Sequence, residues 1–130
     1  MGEAPYVRFQ GTDRTGRDSY PGVFALVNNL AREGRLTAEQ ERFRQVNNAW
    51  YHASFTNPSD VDPSVYDPVL NPGAVAWFKS SARHLIERVD GYLEILAAHG
   101  VECRCVRSWN PGRIVYEDAD QVVAVPLRGE

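Results

Sequence analysis

The hydrophobic residues of this chain recur with two different periods, and the longer period is clearest between residues 71 and 100. Apolar side chains return there every three or four positions, as they do along the buried stripe of a helix. The ends also fit, because Asn71 can cap a helix, Pro72 suits its first turn and Gly100 suits its close. The pattern predicts one long core helix over residues 71–100.

Two shorter helices are predicted before it. Ser19 can cap the first of them, residues 23–30 have a helical period, and Gly34 follows, a residue that commonly ends helices. Thr37 and Gln40 have the spacing of a capping box, and an apolar stripe continues from there to Trp50. Asparagine has no advantage inside a helix, so we expect some of the asparagines at positions 28, 29, 47 and 48 to hydrogen-bond across a groove or to local backbone.

The shorter, two-residue period predicts strands. Residues 5–10 alternate, and residues 101–109, 113–117 and 122–127 are rich in β-branched and aromatic side chains. Short turns separate the last three segments, which predicts an antiparallel meander that the first strand can join. The expected fold is a single α+β domain over residues 1–130, in which an antiparallel sheet of about four strands packs against three helices.

A different pattern occupies residues 54–71, where prolines forbid a long helix or a central strand. Val65 and Tyr66 offer apolar surface that can hold such a segment on the body of the domain. Long connections inside a compact domain are often binding loops, lids or packed Ω-loops. We therefore expect an ordered loop lying over the helices. Residues 11–18 are instead predicted to be a polar loop, which lacks the lysine and hydroxyl spacing of a phosphate-binding loop.

Charge and cysteine content narrow the classes of protein. The 130 residues include 14 basic and 17 acidic side chains, with a net charge of −3 and no long block of either sign, which disfavours nucleic acid as a partner. No apolar run approaches the roughly 20 residues of a membrane span, so no membrane partner is expected. Cys103 and Cys105 would point to one face of a strand, about 7 Å apart, which strains a disulfide. These features predict a cytoplasmic protein.

Motifs for metals and cofactors are incomplete. Asp60, Asp62 and Asp67 begin like a calcium loop, but the required glycine and closing glutamate are absent. The histidines lack the spacing of a helical metal pair. No dinucleotide fingerprint or nucleophile elbow occurs. We predict no metal and no cofactor.

The leading functional hypothesis is a ligand-binding or protein-interaction domain, whose occupant is a small molecule or a protein partner. Aromatic residues are dense around the proline-rich loop, which suits contact with such an occupant. The predicted ligand-binding residues are Tyr51, Tyr66, Trp77 and Lys79. Trp77 and Lys79 would lie in the first turns of the long helix, whose N-terminus attracts anions.

Two other hypotheses stay open. The first is a small transferase or hydrolase acting on a nucleotide-like substrate, with Arg8, His52 and Glu117 as its catalytic residues. It requires three distant segments to converge. The second is a structural subunit of a homodimer that buries apolar residues of the loop or the sheet. The sequence does not decide whether the protein is an enzyme.

Overall fold

The fold, taken from a computed structural model that describes residues 3–13 and 20–127, is α+β as predicted. Its sheet is antiparallel and contains five strands in the order β3-β1-β2-β5-β4. The strands are β1 (Tyr6–Gly11), β2 (Val75–Lys79), β3 (Cys103–Ser108), β4 (Arg113–Glu117) and β5 (Gln121–Val125). Three helices have nine or more residues: α1 (Val23–Arg32), α2 (Ala38–Ser54) and α5 (Asp90–Ala98). Two short ones are α3 (Pro58–Val61) and α4 (Arg83–Glu87).

The prediction of one helix over residues 71–100 is wrong. Residues 75–79 form β2, and only the later part of the segment is helical, as α4 and α5. Val75 and Phe78 fit a helical spacing, but in a strand Val75 and Trp77 face one side of the sheet while Ala76 and Phe78 face the other. Pairing with β1 on one side and β5 on the other decides between the two patterns. This strand is also why the sheet has five strands instead of about four.

The predicted meander is wrong in one connection. The strands β4 and β5 form a hairpin, but β3 pairs along its whole length with β1 and lies at the opposite edge of the sheet. Residues 5–10 were correctly predicted as a strand that joins this sheet. The pairing of β1 with β3 places Cys103 opposite Gly11 and Cys105 opposite Phe9, so both cysteines share one face, and both are free thiols.

The main core lies between one face of the sheet and the helices. Tyr92, Leu85, Val89 and Val27 are fully buried there, together with Val7 from β1. The capping box of Thr37 and Gln40 at the start of α2 is confirmed, and so is the close of α1 at Gly34, whose φ is 69°. The N-cap of α1 is Gly22; the predicted cap, Ser19, is outside the described residues, as is most of the predicted loop at residues 11–18.

The proline-rich connection is ordered, as predicted, but its long-range hydrogen bonds to other elements run to the sheet, from Gln121 on β5 and Arg113 on β4, instead of to the helices over which it was expected to lie. Its only regular element is the four-residue helix α3, which agrees with the expectation that prolines exclude a long helix. Val65 is fully buried, and Arg113 on β4 donates to the Leu70 carbonyl. Asp62 and Asp67 accept hydrogen bonds from backbone N–H groups two or three residues ahead, so their carboxylates stabilise the turns of this segment.

Candidate functional site

A cleft of about 360 Å³ opens between α1, the end of α2 and the proline-rich segment. We call this space the cleft. Its volume falls within the range of small-molecule sites in proteins, about 300 to 1,000 Å³. Its lining residues are Phe24, Asn28, Asn48, Tyr51, His52, Phe55, Thr56, Asn57, Pro58, Tyr66, Ala76 and Gln121. None of these described lining residues is Asp, Glu, Lys or Arg.

The cleft contains three of the residues that the sequence predicted for a site, namely Tyr51, His52 and Tyr66. Their roles differ. Tyr51 is buried, and its hydroxyl donates to the Leu85 carbonyl at 2.7 Å, which makes it part of the core as well as the cleft wall. Burial of this hydroxyl raises the pKa of Tyr51 well above its ordinary value. His52 is exposed on the last turn of α2, and Tyr66 is 38% exposed.

The asparagines in the cleft serve the packing of the helices. Asn48 donates to the Asn28 side chain at 3.1 Å and accepts from the Tyr92 hydroxyl at 2.7 Å. Arg44 donates to the same Asn28 oxygen. The expectation of hydrogen bonds across a groove or to local backbone is met by Asn28 and Asn48, which join α1 and α2, and by Asn47, whose Nδ2 donates to the Phe43 carbonyl. The side-chain oxygens of Asn28 and Asn48 already accept hydrogen bonds within the protein, so they do not require a ligand to satisfy them.

Gln121 differs from these asparagines, because its side-chain oxygen has no partner in the described part of the chain. It is fully buried at the start of β5, where its position opposite Phe78 turns its side chain towards the helices and the cleft. Its Nε2 donates to the Thr56 carbonyl at 2.7 Å and to the Asp118 carboxylate at 3.0 Å. These two acceptors fix the orientation of the amide, since only the nitrogen can donate to them. The Oε1 atom has no hydrogen-bond partner among the described residues.

Asp118 keeps the Gln121 amide in place. Burial raises the pKa of Asp118, but hydrogen bonds from the Asp120 and Gln121 backbone, the Tyr116 hydroxyl and the Gln121 side chain together outweigh burial and lower it. The carboxylate is therefore ionised at neutral pH and accepts from Gln121. Gln121 thus brings to this candidate site a fully buried amide that is held in one orientation and whose carbonyl oxygen is unpaired among the described residues.

Arg8 lies where the sheet divides. The strand β1 pairs with β2 only at Tyr6 and Val7, and further along it bridges to Gly22 instead. Arg8 joins the separated segments, since Nη1 donates to the Ala76 carbonyl at 2.8 Å and Nη2 donates to the Tyr20 carbonyl at 2.9 Å. Its Nε donates to the Gln10 side chain at 3.0 Å. Arg8 is thus a structural clamp between β2 and the segment that leads into α1.

The same guanidinium lines a smaller cavity of about 100 Å³, which we call the Arg8 cavity. Its walls include Phe24, Phe55 and Ala76, which also line the cleft, so the two spaces adjoin. Burial lowers the pKa of Arg8 to about 10, against smaller effects from Tyr66 and Cys103 that raise it. The guanidinium still carries its positive charge at neutral pH.

The remaining predicted residues lie on the other face of the sheet. Trp77 pairs with Val122 on β5, and the hydrophobic residues that pack with it are strand residues such as Tyr6 and Val75. The prediction that Trp77 and Lys79 lie at a helix N-terminus is wrong, because both are on β2. Lys79 Nζ forms an ion pair with Glu117 Oε2 at 2.6 Å. Trp77 Nε1 is buried without a described partner, but Trp77 does not line the cleft.

The structure does not bring the three proposed catalytic residues into one cavity. His52 lines the cleft, Arg8 clamps the divided sheet beside the smaller cavity, and Glu117 is ion-paired with Lys79. Among the described residues, no group of three or more His, Cys, Asp or Glu is placed to hold a metal ion. No helix in the described part of the chain is long and apolar enough to cross a membrane.

Sequence reasoning missed the residues that give the site its specific chemistry. Gln121 was not singled out, although a lone amide at the head of the apolar run Val122, Val123, Ala124 is an unusual residue to bury. Phe24 and Phe55 were also missed as cleft residues, because their ring positions depend on packing with Tyr51 and Phe78. Comparison with known proteins gives no match, either to a family, to a curated protein or to a solved structure.

Proposed function

We propose that this domain binds a small planar molecule in the cleft, and that the ligand presents a hydrogen-bond donor to Gln121. The observation that carries the proposal is the Oε1 of a fully buried glutamine in the cleft, which has no hydrogen-bond partner within residues 3–13 and 20–127. Leaving a buried acceptor unpaired costs about 1–3 kcal/mol. An N–H or O–H group of a ligand would remove that cost, which makes Gln121 a specific recognition point.

The aromatic wall supports a flat ligand. Phe24 and Phe55 line one side, and Tyr66 contributes a partly exposed ring from the proline-rich segment. Aromatic faces favour stacked or edge contacts with a planar ring, with a gain of roughly 0.5–1.5 kcal/mol beyond surface burial. The cleft therefore offers both components of a typical small-molecule site, namely apolar walls and a few placed polar groups.

The cytoplasmic location of the protein stays a prediction, and it is consistent with a ligand-binding role. Cys103 and Cys105 are free thiols, and thiols stay reduced in the cytoplasm. We therefore propose that the protein acts as a cytoplasmic binding domain for a metabolite-sized molecule.

The proposal can be tested with 4-aminobenzamide, a flat probe that carries N–H donors at both ends. We expect binding in the millimolar range, as for small fragments, measured by ¹H–¹⁵N NMR titration. The side-chain amide signals of Gln121 and the backbone signal of Tyr66 should shift together along one binding curve. No shift of either signal at 10 mM probe, about the solubility range of such fragments and well above a millimolar Kd, would overturn the proposal.

A matched pair of variants separates the cleft from the rest of the loop. Tyr66→Ala removes an aromatic wall and should weaken binding about three- to tenfold. Val69→Ala is the control, because Val69 is 86% exposed on the same segment and does not line the cleft. Its affinity should stay within twofold of the wild type. Equal affinity for all three proteins would place the probe outside the cleft.

A further inference from the structure

We propose that the ligand of the cleft is an acid, and that its carboxylate binds the Arg8 guanidinium in the adjoining cavity. This inference rests on the proposed function, and it adds the charge class of the ligand. Its starting point is that the structure places a partly buried cation beside a cavity whose other walls are mostly apolar.

The hydrogen-bond inventory of Arg8 shows what is left for a ligand. A guanidinium has five N–H donors. Three are used, by Gln10, Ala76 and Tyr20, and all three acceptors are neutral oxygens. One N–H on each of Nη1 and Nη2 therefore has no partner within residues 3–13 and 20–127. Two donors on neighbouring nitrogens match the two oxygens of a carboxylate.

The charge of Arg8 is also uncompensated in the described part of the chain. None of the described carboxylates forms an ion pair with Arg8, although other arginines and the lysine do have acidic partners. Removing a cation from water without an anion is unfavourable, and neutral carbonyls offset only part of that cost. A bound carboxylate would complete the site electrostatically.

The position of the two spaces favours one ligand that reaches both. The Arg8 cavity and the cleft share the walls Phe24, Phe55 and Ala76. Tyr66, which lines the cleft, lies close enough to Arg8 for the positive charge to lower the pKa of Tyr66, although burial raises it by more. The smaller cavity of about 100 Å³ can hold a carboxylate group, while the aromatic part of the ligand lies in the cleft.

The inferred ligand class is therefore an aromatic carboxylate with a hydrogen-bond donor on its ring. The carboxylate would bind Arg8, the ring would contact Phe24 and Phe55, and the donor would reach Gln121. The acid is chosen over a phosphate because two N–H groups and a small cavity fit a planar, two-oxygen group.

An isosteric pair of probes tests this inference in the wild-type protein. The probes 4-aminobenzoate and 4-aminobenzamide share the ring and the amine, and they differ in the charge of one end. We expect 4-aminobenzoate to bind about tenfold more tightly, as a charge-assisted bidentate contact implies, and to shift the Arg8 Nε–H signal in NMR titrations. Equal affinities would overturn the inference and leave the proposed function standing. Failure of 4-aminobenzamide to shift the Gln121 and Tyr66 signals would overturn the proposed function, and with it this inference.

Two arginine variants provide the second readout. Arg8→Met should abolish the preference for the anion, while Arg104→Met, an exposed arginine on β3, should keep it. Loss of the preference in both variants would mean a general charge effect and would contradict the assignment to Arg8. If Arg8→Met does not fold because the clamp is lost, the wild-type comparison of the two probes still decides the matter.

Discussion

The buried polar groups of the helical core and those of the cleft differ in how completely they are hydrogen-bonded among the described residues. In the core, the hydroxyls of Tyr51 and Tyr92 donate to Leu85 and Asn48, both at 2.7 Å. In the cleft, the Oε1 of Gln121 has no partner in the described part of the chain, and in the adjoining cavity two N–H groups of Arg8 likewise have none there. The two regions adjoin and share the ring of Phe24.

The difference distinguishes structural residues from binding residues. Aromatic rings alone do not, since Tyr51 contributes to both regions and stacks edge-on with Phe24 at 4.8 Å. Hydrogen-bond satisfaction does, because a stable core pairs nearly all of its buried polar groups. An unpaired polar group persists where another molecule, such as water or a ligand, completes it. On this criterion, and because they line the two adjoining spaces, Gln121 and Arg8 belong to the proposed site, and Tyr51 supports it. Trp77 Nε1 also lacks a partner among the described residues, but Trp77 lines neither space.

The largest effect is expected when the support of Gln121 is removed by Asp118→Asn. The carboxylate accepts hydrogen bonds from Tyr116, Asp120 and Gln121. An asparagine side chain would replace one of the two accepting oxygens with an NH₂ group, which cannot accept from these donors. We expect unfolding in urea at pH 7 to show a loss of about 1–3 kcal/mol. Affinity for 4-aminobenzamide should fall as well, since Gln121 loses its fixed orientation. Asp60→Asn, an exposed position on α3, should stay within about 0.5 kcal/mol.

The same substitution has a defined pH dependence. The pKa of Asp118 is lower in the folded protein than in the unfolded chain, where an aspartate titrates near 3.9. Its ionised form therefore contributes stability fully above about pH 4, and the contribution is lost as the pH falls through the folded pKa. The stability difference between wild type and variant should be constant from pH 7 to 5 and smaller at pH 3. A difference that grows on acidification would contradict this assignment.

A smaller effect, on stability alone, is expected from Tyr51→Phe. The change keeps the ring on the cleft wall and removes only the hydroxyl, so the buried Leu85 carbonyl loses its donor. We expect a loss of about 1–2 kcal/mol in urea unfolding. The affinity for 4-aminobenzamide should stay within twofold, because the hydroxyl points into the core. A tenfold loss of affinity would instead show that the Tyr51 hydroxyl serves ligand binding as well as the core.

Local chemistry explains which parts of the fold the sequence predicted. The capping box of Thr37 and Gln40 and the close of α1 at Gly34 depend on residues within one helical turn, and both are confirmed. The strand at residues 75–79 was mistaken for helix because its apolar residues satisfy both periods. Only the pairing of this segment with β1 and β5, which are distant in sequence, decides that it is a strand and not a helix. The meander failed for the same reason, since β3 prefers a partner about 95 residues before it.

Part of the cleft lining was among the residues that the sequence predicted for a site, and their role there stays a prediction. Aromatic density near the proline-rich segment indicated Tyr51, His52 and Tyr66, and all three line the cleft. Gln121 could not be identified in the same way, because its partner Thr56 is 65 residues away in the chain. The role of Arg8 as a clamp depends on the division of the sheet, which no local pattern encodes. Long-range polar contacts are thus what sequence periodicity leaves out.

The smallest effect is expected at Glu117, on the face of the sheet away from the cleft. Glu117→Gln removes the ion pair with Lys79, in which the side chain of Glu117 is 52% exposed and that of Lys79 is 24% exposed. The loss in the free energy of unfolding should therefore be below about 1 kcal/mol and should shrink in 1 M salt. Glu94→Gln, at an exposed position on α5, is the matched control. Neither variant should change the affinity for 4-aminobenzoate by more than twofold, as measured by NMR titration. A selective, tenfold loss in Glu117→Gln would instead assign a ligand contact to this face, because a weak surface ion pair cannot account for an effect of that size.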